Sequence, residues 1–118
     1  MTHDHLHPYA PDSLPPALRR YLDAAPSDRA SVADVFRPDA VVTDEGRTHQ
    51  GIAAVRAWLE GAGSGYTYTT TFTGQRSDDV DHWTVAARLE GDFPGGVADL
   101  RYRVELRDGL IETLLIAP

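Results

Sequence analysis

The 118-residue sequence contains no cysteine and no lysine. Without cysteine it can form no disulfide, no thiolate nucleophile and no cysteine-based metal site. Without lysine it cannot form a Schiff base with a carbonyl substrate. No run of about 18 apolar residues occurs, so we expect no transmembrane helix. The N-terminal stretch MTHDHLHPYAPDS lacks the basic and apolar regions of a signal peptide, and we therefore expect a cytoplasmic location.

The formal net charge is −7, and all eleven basic residues are arginine. A protein that binds nucleic acid through the phosphate backbone needs a basic face, which this balance argues against. We expect neither a nucleic-acid nor a membrane partner. The length allows one domain with a modest core, and the 42% hydrophobic content is ordinary for a globular protein.

Residues 1–12 are polar and show no hydrophobic period, which predicts a flexible tail before a single domain over residues 13–118. His3, His5 and His7 alternate in this tail. They could bind a metal, but a solvated tail that chelates adventitiously is the simpler interpretation. No predicted helix carries two histidines at metal-binding spacing, so we expect no metal site.

Three helices are predicted in the N-terminal half. Ser13 is the expected N-cap of the first, the second ends before Pro38, and the third opens at Gly51 and ends in the glycine-rich residues 61–65. Each has one apolar stripe. The three stripes are Leu14, Leu18, Tyr21, Leu22 and Ala25; Val32, Val35 and Phe36; and Ile52, Val55, Trp58 and Leu59.

A short strand is predicted over 40–44 and a loop over 46–50. From Tyr66 onward the period changes to two, which predicts a long antiparallel meander. Asp108-Gly109 is a hairpin turn signal, and the last strand needs a bulge near Glu112 or Thr113 to keep its apolar side chains inward. The expected inward faces are Tyr66, Tyr68, Thr70 and Phe72; Trp83, Val85, Ala87 and Leu89; and Ala98, Leu100, Tyr102, Val104 and Leu106. The helices must cover this face, which makes an α+β domain.

Asp44 is the first candidate for chemistry, because alternation places it on the face of Ala40 and Val42. A carboxylate turned inward needs polar partners, and such a group can serve as a general base. It could instead face solvent at the strand end or cap the following loop. His49 could reach the same site or cap the third helix, and Tyr21 lies where core residues are more usual. The inward aromatic residues form the core or line a ligand cavity: Trp58, Tyr66, Tyr68, Phe72, Trp83 and Tyr102.

The segments FRPDAVVTDEG, HQGIAAVRAWL and FPGGVADLRYRVELRDGLI resemble the short SnoaL-like proteins of the nuclear transport factor 2-like superfamily. The resemblance implies a curved antiparallel sheet wrapped around the helices into a cone with an apolar pocket, and a homodimer. Tyr21 in RRYLDAA and Asp44 in AVVTDEG resemble the tyrosine and aspartate of ketosteroid isomerase, where the aspartate moves a proton and the tyrosine donates to the oxyanion. The third functional residue of that enzyme, a protonated aspartate, maps near Arg101 or Tyr102 here.

We therefore expect a cofactor-free acid–base enzyme of the isomerase, cyclase or dehydratase type, acting on a small apolar carbonyl compound. Asp44 would abstract the proton, Tyr21 or Tyr102 would donate to the enolate, and His49 would assist. One alternative is a non-catalytic binding module with the same pocket. Another is a structural dimerisation domain whose pocket is filled by its own aromatic side chains.

Overall fold

The computed structural model describes residues 5–24, 26–61 and 65–118, and its main element is one open six-stranded sheet in the order β2-β1-β6-β5-β4-β3. The strands are β1 (Phe36–Asp44), β2 (Arg47–Gln50), β3 (Tyr68–Asp79), β4 (His82–Gly91), β5 (Val97–Arg107) and β6 (Leu110–Ala117). Helix α1 (Pro16–Asp23) and a kinked 3₁₀ segment (Pro26–Val35) precede β1, and helix α2 (Ile52–Gly61) follows β2. The predicted α+β class with three helices is confirmed.

The sheet is mixed, which corrects the expectation of a wholly antiparallel one. Strand β1 pairs with β6 in parallel, whereas every other neighbouring pair is antiparallel. After α2 the chain enters the sheet at its far edge and returns one strand at a time, so β6 reaches β1 running in the same direction. The pairing joins Val42 to Leu114 and Asp44 to Ile116, which places the C-terminal strand beside the candidate carboxylate.

Helix α1 buries its predicted stripe, including Leu18 and Tyr21. The predicted N-cap, Ser13, is wrong, because the helix has Pro15 at its N-cap. Ser13 is the last residue of a separate 3₁₀ turn (Pro11–Ser13). A proline in the first turn of a helix loses no hydrogen bond, since the N–H groups there have no partner within the helix. Ala25 of the predicted stripe, and residues 62–64 of the predicted glycine-rich helix end, lie outside the described residues.

The predicted loop over 46–50 is wrong, because residues 47–50 form strand β2. The turn before it, Glu45-Gly46, has φ angles of 54° and 75°. Two successive residues in the left-handed region are typical of the tightest hairpin turns, whose twist matches that of the strands. Strand β1 also begins earlier than predicted, at Phe36 and ahead of Pro38, where the register with β6 is irregular.

The second hairpin signal, Asp108-Gly109, is confirmed as a turn with φ angles of 53° and 80°. The bulge expected in the last strand is also present, since Glu105 pairs with Thr113 and Leu106 with Ile111, which leaves Glu112 as the extra residue. The bulge turns both Ile111 and Leu114 into the core, where they are 0% and 1% exposed. Side-chain alternation alone would have placed Ile111 and Leu114 on opposite faces, and the predicted bulge gives both their observed inward positions.

The core lies between the inner face of the sheet and the helical elements. Its fully buried side chains come from both layers: Leu18, Val42, Val55, Leu59, Val85, Ile111 and Leu114. Helix α1 contacts the 3₁₀ segment and β6, and α2 contacts the 3₁₀ segment, β1 and β2. Neither described helix has the length and apolarity that a bilayer-spanning segment requires.

Part of the N-terminal segment lies along the edge of the sheet. His7 pairs through its backbone with Gln75 of β3, and the Tyr9 ring lies 5.0 Å from that of Phe72. The flexible tail and its boundary at residue 12 stay predictions. His3 lies outside the described residues.

Candidate active site

A cavity of about 550 Å³ opens between the helical layer and the inner face of the sheet. Its helical wall carries Tyr21, Arg29 and Trp58, and its rim carries Asp44, Glu45 and Gly46 at the end of β1. The sheet and the β4–β5 turn supply most of the apolar surface: Tyr66, Tyr68, Leu89, Phe93, Pro94, Ala98, Leu100, Tyr102, Ile116, Ala117 and Pro118. The volume is in the range of small-molecule sites.

Asp44 lies on the cavity wall and is held there by one tryptophan. Indole Nε1 of Trp58 donates a hydrogen bond of 3.1 Å to Oδ2 of the carboxylate. Trp58 is 7% exposed and belongs to the α2 stripe, so helix packing fixes the donor. Asp44 itself is half-buried, at the last position of β1. The bond holds one carboxylate oxygen in place, and no hydrogen bond to the other oxygen is found within the described residues, so Oδ1 can accept a proton from a ligand in the cavity.

Tyr21 reaches the same cavity from helix α1. Its ring stacks on that of Trp58 at 6.3 Å and meets Phe36 edge-on at 5.7 Å. Burial raises its pKa above the usual value, the nearby phenol of Tyr102 raises it further, and Arg29 opposes the shift. The phenol therefore stays neutral at physiological pH and can donate its proton in a hydrogen bond.

Tyr102 is the second phenol of the site and comes from the middle of β5. Burial raises its pKa to about 12, with Arg29 opposing the shift and Tyr68 adding to it. Within the described residues, neither the Tyr21 nor the Tyr102 hydroxyl has a hydrogen-bond partner. Two neutral donors thus line the cavity, and no hydrogen bond from either is found within the described residues.

Arg29 is the functional candidate that the sequence did not reveal. It lies in the 3₁₀ segment, where the pattern predicted only three inward apolar residues, and Nη2 donates to the Tyr68 hydroxyl at 3.2 Å. Arg29 lines the cavity together with Tyr21 and Tyr102, and its charge opposes the rise in the pKa of both phenols. No motif or spacing marks it, because its position depends on how the chain crosses from α1 to β1.

A second compartment of about 240 Å³ shares part of its lining with the main cavity. It shares Tyr21, Arg29, Tyr68 and Tyr102 with the main cavity. Its remaining lining comes from α1, the residue after it and β3: Leu22, Ala24, Thr70 and Phe72. The two spaces are therefore adjacent, and the four shared residues line both of them.

Of the nine residues predicted for the site, six line the main cavity: Tyr21, Asp44, Trp58, Tyr66, Tyr68 and Tyr102. Phe72 lines the second compartment only. His49 lies on strand β2 and lines neither space. Its ring lies 6.2 Å from that of Trp58. Trp83 packs against the core from the other end of β4 and also lines neither. The roles expected for these residues stay predictions.

The arrangement has the parts of acid–base chemistry on a carbonyl compound. An oriented carboxylate can remove a proton from carbon, and neutral phenols can donate to the oxygen that becomes negative. No group of three histidine, aspartate or glutamate side chains that could hold a metal ion occurs within residues 5–24, 26–61 and 65–118.

Comparison with solved structures identifies relatives of the whole domain. The crystal structure of a putative polyketide cyclase from Sinorhizobium meliloti is 32% identical, with a TM-score of 0.79, and the match covers 92% of this chain and 100% of that one. A protein from Catenulispora acidiphila with a ketosteroid isomerase-like fold, in complex with trimethylamine, is 17% identical, with a TM-score of 0.73 and coverage of 90% and 87%. A Mycobacterium tuberculosis protein in complex with estradiol-17β-hemisuccinate is 19% identical, with a TM-score of 0.64 and coverage of 84% and 85%.

No protein-family model and no curated protein matches the chain. The last two structures show the shared fold alone at their level of identity, whereas the 32% identity of the first extends over nearly the whole chain.

Proposed function

The chain belongs to the SnoaL-like proteins of the nuclear transport factor 2-like superfamily, and on that premise we propose that it binds a small, largely apolar carbonyl compound in this cavity and moves a proton on it. Asp44 is the general base in this proposal. Tyr21 and Tyr102 donate hydrogen bonds to the oxygen of the developing enolate. The reaction is an isomerisation, cyclisation or dehydration, each of which can proceed through such an enolate without a cofactor.

One observation carries the proposal: the Asp44 carboxylate, oriented by Trp58, shares a cavity with two neutral phenols. Orientation matters because a base acts only from hydrogen-bonding distance of the proton it removes. Neutrality of the phenols matters because a phenolate could not donate to an oxyanion. General-base and oxyanion contributions each supply factors on the order of 10² to 10⁴ in rate.

The relatives support a small-molecule pocket of this kind. The relative at 32% identity is described as a putative polyketide cyclase, and two proteins of the same fold hold an amine and a steroid ester. The cavity also argues against a purely structural domain whose own aromatic residues fill the pocket, since about 550 Å³ remains open between them.

Exchange of carbon-bound hydrogen for deuterium tests the assignment without a known product. A panel of aryl ketones and cyclohexenones is incubated with the protein in D₂O, and loss of the α-proton signal is followed by NMR. Asp44→Asn should slow exchange at least about 10²-fold, and Tyr21→Phe or Tyr102→Phe should slow it about 10- to 10³-fold. Asp39→Asn is the matched control, because Asp39 lies on the same strand but is 70% exposed and lines neither cavity.

Unchanged exchange in Asp44→Asn would refute the role of that carboxylate. Tight binding of panel compounds without any exchange would favour the alternative, a binding module in which Asp44 orients the ligand. A homodimer and a cytoplasmic location stay predictions, and the molar mass in solution tests the first.

A further inference from the structure

Residues 6–10, the N-terminal strap, are fastened to strand β3 at Gln75. His7 and Gln75 exchange two backbone hydrogen bonds, each of 2.8 Å, and the backbone N–H of Ala10 donates to Gln75 Oε1 at 2.8 Å. Gln75 is 5% exposed. A buried amide oxygen that lost its donor would destabilise the folded state, so these three bonds favour the docked position of the strap.

A bulge in β3 places the strap beside the core. The register with β4 shifts between Phe72 and Gly74, which leaves Thr73 as an extra residue. Because side chains of a strand alternate between its faces, the extra residue puts Phe72 and Gln75 on the same face. Gly74 permits a close approach of the strap, since a Cβ at this position would lie 3.0 Å from the Cβ of Leu6.

Three aromatic rings connect the strap to the main cavity. The Tyr9 ring lies 5.0 Å from that of Phe72, and the Phe72 ring meets that of Tyr102 at 6.3 Å and 67°. Tyr102 is 7% exposed and lines the cavity. Phe72 belongs to the edge strand of the sheet, so the strap packs against it from outside the sheet. Such ring pairs have preferred geometries, and a displacement of one ring therefore changes the packing of the next.

From this chain of contacts we propose that the strap is a positioning element of the site: Tyr9 holds Phe72 against Tyr102, and the Tyr102 hydroxyl thereby keeps its place in the cavity. Tyr9 lines neither space and acts only through Phe72. A misplacement of about 1 Å by a change far from the chemistry can slow a reaction about 10²-fold. The inference rests on the proposed function for the role of the Tyr102 hydroxyl, and on the packing of the strap for its position.

Two variants displace the strap in different ways. Tyr9→Ala removes the ring, whereas Gly74→Ala keeps every strap side chain and forces Leu6 to move. With a ketone that the wild-type protein exchanges, each should lower kcat for deuterium exchange about tenfold and leave KM within about twofold, because the donor acts in the transition state. Tyr9→Phe should keep the wild-type kcat, since the buried Tyr9 hydroxyl has no hydrogen bond within the described residues.

A second variant in the same chain separates positioning from a general loss of stability. In a Tyr102→Phe background, Tyr9→Ala should slow exchange by no more than about twofold further, because the hydroxyl that the strap positions is already absent. A further tenfold loss would overturn the inference. Ile52→Ala is the matched control, since it removes a partly buried side chain of the same core that lines neither space. It should lower the melting temperature and leave kcat unchanged.

NMR of protein with tyrosine labelled by ¹³C at Cζ tests the strap without any substrate. The chain has five tyrosines, and Tyr102→Phe assigns the signal of interest. Burial raises the pKa of Tyr102 to about 12, so looser packing should bring it toward 10 in Tyr9→Ala and Gly74→Ala, and Tyr9→Phe should retain the wild-type value. The other ionisable groups that act on this phenol are the same in every variant: Arg29, Tyr68 and Asp44.

The outcomes separate this inference from the proposed function. An unchanged Tyr102 pKa in both strap variants overturns the inference, whatever the exchange rates are. A lowered pKa in a protein whose wild-type form exchanges no ketone supports the packing role of the strap and overturns the proposed function alone. A lowered pKa with unchanged kcat overturns the positioning role. Gly74→Ala decides each outcome even if Tyr9→Ala does not fold.

Discussion

The hydrogen bond between Trp58 and Asp44 makes a quantitative prediction about how the candidate base is held. The perturbation is a double-mutant cycle of Trp58→Phe and Asp44→Asn. Trp58→Phe removes the indole N–H that lies 3.1 Å from Oδ2, and Asp44→Asn keeps an acceptor oxygen but removes the charge. Each single change also alters packing or solvation, and the cycle subtracts those effects.

The expected coupling follows from the geometry. A hydrogen bond to an ionised group contributes about 1.5–3 kcal/mol to stability, roughly twice the contribution of a neutral one. Asp44 is half-buried, so water replaces part of the lost interaction and the lower end applies. We therefore expect Trp58→Phe to cost about 1 kcal/mol more in the Asp44 protein than in the Asp44→Asn background, which corresponds to about 4 °C in melting temperature.

Urea unfolding followed by far-ultraviolet circular dichroism measures all four free energies of unfolding. Trp83→Phe provides the control cycle, because no hydrogen bond from the Trp83 indole N–H is found within the described residues and Trp83, on β4, does not line the cavity that Asp44 lines. Its coupling to Asp44→Asn should be within the additivity error of about 0.3–0.5 kcal/mol. A Trp58 coupling of that same small size would refute the claim that this bond fixes the carboxylate.

Two further predictions concern buried phenols and a close strand contact. Burial raises the pKa of Tyr21 and Tyr102, so the unfolded chain loses these two protons at a lower pH than the folded protein does. The contribution of the two phenols to the free energy of unfolding is therefore fully present below pH 10 and falls as the pH rises toward about 12. Denaturant midpoints should decline over that window, and less steeply in Tyr102→Phe. A flat profile would contradict the burial of these groups. Gly91→Ala should destabilise the protein by about 1–3 kcal/mol, because the new Cβ would clash with the backbone oxygen of Thr67, which directly precedes β3. Gly61→Ala meets no atom of the described residues within 4 Å and should stabilise α2 by up to about 1 kcal/mol. Thermal melts compare the two variants, and equal effects would contradict the clash.

Local patterns predicted the parts of the fold that depend on local geometry. Side chains of a strand alternate between its faces, so the inward positions of β4 and β5 followed from the sequence alone. The Asp108-Gly109 turn followed in the same way, since few residue pairs tolerate two positive φ angles. Even the bulge at Glu112 was predictable, because Ile111 and Leu114 can share a face only if one residue is extra.

The errors lie where pairing between distant segments decides the outcome. Residues 47–50 are polar and show no strand period that burial would impose, yet the turn at Glu45-Gly46 folds them back along β1. The parallel pairing of β1 with β6 depends on the path of the chain between them, which no local pattern contains. The same hairpin places His49 on β2, so it does not line the cavity, although the sequence allowed it to reach the site of Asp44.

The candidate site divides in the same way. The sequence by itself determined that Asp44 continues the inward face of its strand and that Tyr21 lies on the apolar stripe of its helix, since both follow from the repeat of a single element. Only the tertiary structure decided that these side chains share one cavity with Tyr102, that Trp58 orients the carboxylate, and that Arg29 lines the same cavity. The physical reason is that a cavity is enclosed by residues far apart in the chain, and its shape and charge depend on how complete elements pack against one another.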